Sequence, residues 1–167
     1  YKSVYESGNL YLRRVYDTIY QKKNVFYTDE ACSTKIDNVT TIARAVKIAN
    51  TVVFSGPYEA TSDETIIVPA GKTVTLLRSE SFTNYSMINI SSATMKISTA
   101  DSNSKLICDG NKVDTTGAKG SMVYLNDSAS SILYLTGYSS SNKNIEVKNF
   151  HTSLSDGVGG AICNNYH

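Results

Sequence analysis

A chain of 167 residues fits one domain with a sizeable core and is short for two. Ser, Thr and Asn fill 53 positions (22, 17 and 14), a composition of strands and turns with a polar outer surface that argues against a helical bundle. The formal net charge of +1 supplies no field to draw nucleic acid or an acidic membrane, no run of eighteen apolar residues marks a span, and Tyr1-Lys2-Ser3-Val4-Tyr5 is not the start of a signal peptide, so a secreted form would already have lost its signal.

The first thirty residues are Tyr-rich and alternating, as in Leu10-Tyr11-Leu12-Arg13-Arg14-Val15-Tyr16 and Asn24-Val25-Phe26-Tyr27-Thr28, which predicts strands with one covered face and no evident partner. Asp37 or Asn38 is then placed to cap a helix of about 38–49. Its apolar positions Val39, Ile42, Ala43, Val46 and Ala49 form one stripe, and Asn50 is the expected stop. The predicted division is therefore strands and a capping helix over 1–50 and repeating coils over 51–167.

From Thr51 the pattern changes to short apolar runs separated by turns. They are Val52-Val53-Phe54, Thr65-Ile66-Ile67-Val68, Thr73-Val74-Thr75-Leu76-Leu77, Met87-Ile88-Asn89-Ile90, Met95-Lys96-Ile97, Lys105-Leu106-Ile107-Cys108, Met122-Val123-Tyr124-Leu125, Ile132-Leu133-Tyr134-Leu135, Ile145-Glu146-Val147 and Ala161-Ile162-Cys163. Ser86-Met87-Ile88-Asn89-Ile90 resembles Ser121-Met122-Val123-Tyr124-Leu125 at an offset of 35. Ile97 then maps to Leu135, Ile107 to Val147 and Met122-Val123 to Ala161-Ile162, while Val53, Ile67 and Leu76 map forward to Ile88, Ile97 and Ile107. Three strands per unit at this spacing predict an all-β, right-handed parallel β-helix whose first coil needs a cover, with an antiparallel β-sandwich as the alternative. The last coil would be unfinished at His167, so the protein is expected to continue.

Thr65-Ile66-Ile67-Val68-Pro69-Ala70-Gly71-Lys72-Thr73-Val74-Thr75-Leu76, the helical stretch Thr40 to Asn50, Cys108-Asp109-Gly110-Asn111 and Gly157-Val158-Gly159-Gly160-Ala161-Ile162 together resemble the pectate-lyase-like right-handed β-helix repeats of bacterial surface proteins, including the polymorphic outer-membrane adhesin type. The resemblance covers residues 39 to 167. It implies a cell-surface solenoid and is nearly silent about activity, because that scaffold carries lyases, glycosidases, adhesins and passive stalks alike. Pro69-Ala70-Gly71-Lys72 and Asp109-Gly110-Asn111 read as tight corners, and Gly159-Gly160 as a bend where a side chain would crowd the next coil.

No catalytic set emerges. Asp101, Asp109, Asp114, Asp127 and Asp156 fall in turns, Glu146 is the only acid in a predicted coil strand, His151 after Phe150 reads as a surface residue in a turn region, and His167 is the last residue of the sequence. Residues 157–160 lack the Lys-Ser/Thr of a phosphate loop. Cys32, Cys108 and Cys163 are too scattered for zinc; small buried side chains is the plain reading, with a Cys108–Cys163 disulfide as the competitor. Tyr124 and Tyr134 alternate with the inward positions of their strands and are expected to point outward on neighbouring faces, where rings could stack on sugars. The expectation is thus an extracellular, bacterial adhesin or structural surface protein without catalysis or cofactor, contacting glycans or surface proteins. Nucleic acid binding and membrane insertion are not expected; end-to-end self-association through a bare solenoid end is. The alternative is the N-terminal part of a polysaccharide lyase or glycoside hydrolase whose catalytic coils lie further on.

Overall fold

The computed structural model describes residues 1–6, 9–115, 120–126, 130–138, 144–152 and 160–164. The chain is mostly β, and its large sheets are parallel, which removes the antiparallel sandwich. It begins with an antiparallel hairpin of β1 (Lys2–Glu6) and β2 (Asn9–Arg13). β3 (Tyr16–Lys22) reverses into β4 (Val25–Tyr27) through Lys23 and Asn24, whose φ values of 51° and 61° give the two-residue turn that matches strand twist. The helix α1 (Ile42–Ile48) leads directly into β5 (Ala49–Phe54). There follow β6 (Tyr58–Ala60), β7 (Glu64–Val68), β8 (Thr73–Arg78), β9 (Ile88–Ile90), β10 (Thr94–Thr99), β11 (Lys105–Asp109), β12 (Asp114–Thr115), β13 (Val123–Leu125), β14 (Ile132–Thr136), β15 (Ile145–Lys148), β16 (His151–Thr152) and β17 (Ile162–Asn164).

From β6 onward the main strands enter three sheets in rotation. Sheet I runs β6-β9-β13-β17, sheet II runs β7-β10-β14, and sheet III runs β4-β3-β5-β8-β11-β15, with every pair parallel except β3–β4; β12 and β16 make a small parallel pair of their own. Side chains alternate in and out along each strand, so parallel stacking builds columns of like residues. One inward column is Ile19-Val52-Leu76-Cys108-Val147, and another is Ile66-Ile97-Leu135. Ile19, Val52, Leu76, Cys108, Ile66 and Ile97 have no solvent exposure. Each such aliphatic side chain contributes about 1.5–3 kcal/mol by leaving water, and these columns are the fold's main support.

All ten predicted runs are strands, but several alignments differ. Ile88 to Val123, Ile97 to Leu135 and Val123 to Ile162 pair as expected. Ile107 instead faces Thr75 and Glu146, and Ile97 faces Ile66 rather than Ile67. In Ile66-Ile67, Leu76-Leu77 and Leu106-Ile107-Cys108, consecutive apolar residues offer both faces, so period-two patterning does not choose between them; Ile67 ends up 45% exposed. Val53 lies in sheet III opposite Leu77, and the counterpart of Ile88 is Tyr58 in β6, a strand hidden by the turn signal of Gly56-Pro57.

The helix is shorter than predicted and capped elsewhere. Thr41 is its N-cap, with Oγ1 accepting from the Arg44 N–H at 3.2 Å, while Asn38 sits in the left-handed region at φ 62°. Asn50 does not stop it, because Ala49 is already extended and the β-branched run Thr51-Val52-Val53 continues as strand. The buried stripe is Ile42, Ala45 and Val46, with Ala43 only half-buried. Its packing partner is β7, the first strand of sheet II. There Glu64 Oε1 accepts the Ala43 N–H at 2.7 Å, the Tyr58 hydroxyl donates to Oε2 at 2.6 Å, and Lys72 Nζ donates to the Val46 carbonyl at 2.9 Å. Burial and the adjacent Glu64 carboxylate push the Tyr58 hydroxyl pKa up, so it remains a donor.

The first strand of sheet I is closed differently. The Asn24 side-chain amide donates to Glu59 O and accepts the Glu59 N–H, each at 2.8 Å, imitating a neighbouring strand. β3 pairs with β5, so β3 and β4 extend sheet III, while β1 and β2 form a two-stranded sheet of their own. At the first corner Gly71 has the expected positive φ (65°), with the Lys72 N–H donating to Pro69 O at 3.1 Å. Gly160 is needed for its φ of 107°, not for crowding, as no atom lies within 4 Å of where its Cβ would be. Residues 157–159 are outside the described part.

Candidate functional site

The two tyrosines expected to share an outer surface are separated. Tyr134 projects from β14 on sheet II and is 48% exposed, whereas Tyr124 on β13 of sheet I is 4% exposed. Tyr124 lies out of phase with the inward Val123, between Asn89 and Cys163, so its direction was read correctly and its exposure was not. An outward tyrosine has enough apolar ring to be covered once the surface above it closes. It is not available for stacking.

Around Tyr134 the outer face of sheet II is open. Parallel register places Thr65, Lys96 and Tyr134 in one column and Ile67, Ser98 and Thr136 in the next. The Lys96 ammonium lies 5.8 Å from the Tyr134 ring centroid, and Lys96, Tyr134 and Thr136 line a shallow depression of about 260 Å³. Such a face offers an aromatic plane, a mobile cation and hydroxyls, a set that suits a polar ring with an apolar side. Lys96 was missed, although the expected pairing of Ile97 with Leu135 already places it opposite Tyr134.

Asp101 and Asp109, two of the acids expected in turns, hold corners of the fold. Asp101 Oδ1 accepts from the Gly71 and Asn103 N–H groups at 3.2 and 3.0 Å and from the Ser104 hydroxyl, and these bonds hold its pKa below the usual range. Asp109 Oδ1 accepts the Asn111 N–H at 2.8 Å and the Asn149 side-chain amide at 2.9 Å. Asp114 meets His151 Nδ1 at 3.3 Å between β12 and β16, with both side chains more than half exposed. Glu59, Glu64, Asp109 and Asp114 all lie in strands, so Glu146 is not the only strand acid. Asp127, Asp156 and His167 lie outside the described residues, among which no three His, Cys, Asp or Glu side chains gather as a metal site.

Glu146 sits between Lys105 at 2.6 Å and Lys148 at 3.2 Å, tying β11 to β15 across the outer face of sheet III. Hydrogen bonds and charge from Lys105 and Lys148 hold its pKa below the usual glutamate range. A depressed carboxylate contributes stability above its unfolded pKa and loses it as pH falls through the folded one. Glu146→Gln is therefore expected to be less stable than wild type at pH 7 by a small margin. That margin should close below about pH 4 and shrink in 1 M salt, where exposed pairs are screened. Urea unfolding at both pH values checks this.

The cysteines do not form the considered bridge. Cys108 points inward from sheet III and Cys163 lies on the outer side of sheet I beside Tyr124, so their side chains diverge, and neither is disulfide-bonded. Both are buried, as the plain reading expects, while Cys32 is half-buried. Burial pushes the Cys108 thiol up to about 12, which keeps it protonated and unreactive. No family model, curated protein or solved structure matches this chain.

Proposed function

We propose that this chain is a right-handed parallel β-helix with three strands per coil, acting outside the cell as a surface stalk or adhesin whose sheet II face contacts glycans. The rotation of strands through three parallel sheets supports the architecture, and the strong preference of parallel crossovers for the right hand supports the handedness. The observation that carries the binding role is Tyr134, 48% exposed with Lys96 beside its ring on a flat, hydroxyl-bearing face. The engagement of Asp101, Asp109 and Glu146 in local hydrogen bonds and ion pairs favours binding over hydrolysis or lyase chemistry.

A glycan array probed with wild type and Tyr134→Ala tests this, with lyase and hydrolase assays on every bound polysaccharide. The expected result is binding without turnover, weakened about tenfold or more by the substitution, as loss of an aromatic platform worth roughly 1.4 kcal/mol requires. Turnover, or binding indifferent to Tyr134, would sink the reading.

A further inference from the structure

A half-open groove of about 500 Å³, which shares no lining residue with the sheet II depression, is lined by Arg14, Tyr16 and residues of the segment 36–48. Asp37 and Asn38 are the residues whose sequence marks them as helix caps, and with Thr41 taking that part they form the groove wall instead. Its charge is uneven, with Arg14, Arg44 and Lys47 against Asp37 alone. Two of the cations are held in place. The Arg44 Nη1 donates to the Asn38 carbonyl at 2.8 Å, and the Arg14 guanidinium lies 5.2 Å from the centroid of the Tyr16 ring. Ile36 and Val39 are 7% exposed and with Ile48 make the apolar side.

We propose that this groove is a binding site for a small organic oxyanion with a ring-sized apolar body, a carboxylate or a phosphate monoester. Two guanidinium forks and an ammonium match the planar or tetrahedral oxygens of such a headgroup, and orientation by Asn38 and Tyr16 reduces the entropy lost when they engage it. The volume suits one ring, and Ile36, Val39 and Ile48 receive its apolar face. Asp37 opposes any anion and so tunes affinity downward. The site is independent of the glycan face, and either can fail without the other.

Titration calorimetry and amide chemical-shift mapping of the whole chain with benzoate, phenyl phosphate and inorganic phosphate test this, at two salt concentrations. Binding of at least one aryl anion is expected, tighter than inorganic phosphate and weakened by salt, with shifts at residues 36–48; the arm that wins distinguishes carboxylate from phosphate. Arg14→Gln and Lys47→Gln, both at exposed positions with thermal melts as folding controls, should each weaken it at least about fivefold, a modest fraction of a charge-assisted hydrogen bond. Asp37→Asn should strengthen it severalfold, a gain that a merely structural Asp37 would not produce. No saturable binding at millimolar probe, inorganic phosphate equal to phenyl phosphate, or affinity unmoved by the three substitutions would each overturn the proposal.

Discussion

Replacing Arg78 by methionine is expected to lower unfolding free energy by at least about 3 kcal/mol, a large share of the roughly 5–15 kcal/mol that holds a domain of this size together. Arg78 is the last residue of β8, in phase with the inward Val74 and Leu76, and is fully buried. Burial pulls its pKa down to about 10, which still leaves it charged at neutral pH. Nη1 donates to the carbonyls of Phe82 and Tyr85 at 3.0 and 2.8 Å, and Nη2 to those of Gly120 and Ser121 at 3.1 and 3.2 Å. The guanidinium also lies 4.8 Å from the Phe82 ring centroid and 5.8 Å from that of Phe150. It thus fastens the loop after β8 to the chain entering β13, the strand beside β9 in sheet I.

The four acceptors belong to the backbone and stay when the side chain goes. Ser121 O keeps the Met87 N–H at 3.1 Å, but those of Phe82, Tyr85 and Gly120 are left relying on water, at about 1–3 kcal/mol for each one that stays dry. This asymmetry separates the case from a buried ion pair, whose replacement by apolar residues can be neutral. Arg78→Lys should recover part of the loss, because an ammonium donates to some of these oxygens without spanning the fork. Urea denaturation followed by circular dichroism reads the effect; a loss under about 1 kcal/mol for the methionine variant would mean that water reaches the carbonyls and that Arg78 is not the clamp.

Nothing in the sequence marks Arg78. An arginine after Thr73-Val74-Thr75-Leu76-Leu77 reads as the end of a strand meeting solvent, and only the parity fixed by the Leu76–Cys108 pairing sends it inward. The same parity decided what was legible elsewhere. Runs with one apolar residue per two positions, such as Ile88-Asn89-Ile90, aligned correctly, while doubled ones such as Ile66-Ile67 slipped by a residue. The helix was legible through Ile42 and Val46, one turn apart, although Ala45 rather than Ala43 completes its buried stripe, and its N-cap was not legible: Asp37, Asn38 and Thr41 are all acceptable caps, and the contact of Ala43 with Glu64, 21 residues on, fixes the choice. At the candidate site, alternation gave the outward direction of both tyrosines. Exposure depends on what lies over the sheet, which no strand's own sequence contains, so the outward turn of Tyr124 could be read but its burial could not.

Gly110 should tolerate a side chain even less than Gly71, although only Gly71 has a positive φ. A Cβ on Gly110 would lie 2.7 Å from the carbonyl carbon of Asn149 and 2.8 Å from the Cα of Phe150, backbone atoms just after β15 that cannot rotate away. Two backbone hydrogen bonds fix the spacing at this corner, from the Gly110 N–H to Lys148 O at 2.9 Å and from the Lys112 N–H to Asn149 O at 3.1 Å, with the Asn149 amide on Asp109 beside them. Gly110→Ala must stretch these bonds or open the corner, at about 1–3 kcal/mol or more for overpacking a site that cannot yield. Gly71→Ala meets no atom within 4 Å and bears only the left-handed backbone penalty of about 1–2 kcal/mol. Because the atoms that a Cβ on Gly110 would meet belong to Asn149 and Phe150, the damage from Gly110→Ala should concentrate on 144–152, with faster amide exchange there and little change at Ile42–Ile48. Hydrogen exchange on the two variants separates the cases: equal stability loss, or uniform loss of protection along the chain, would mean that this corner yields and that close approach does not set the demand for glycine at 110.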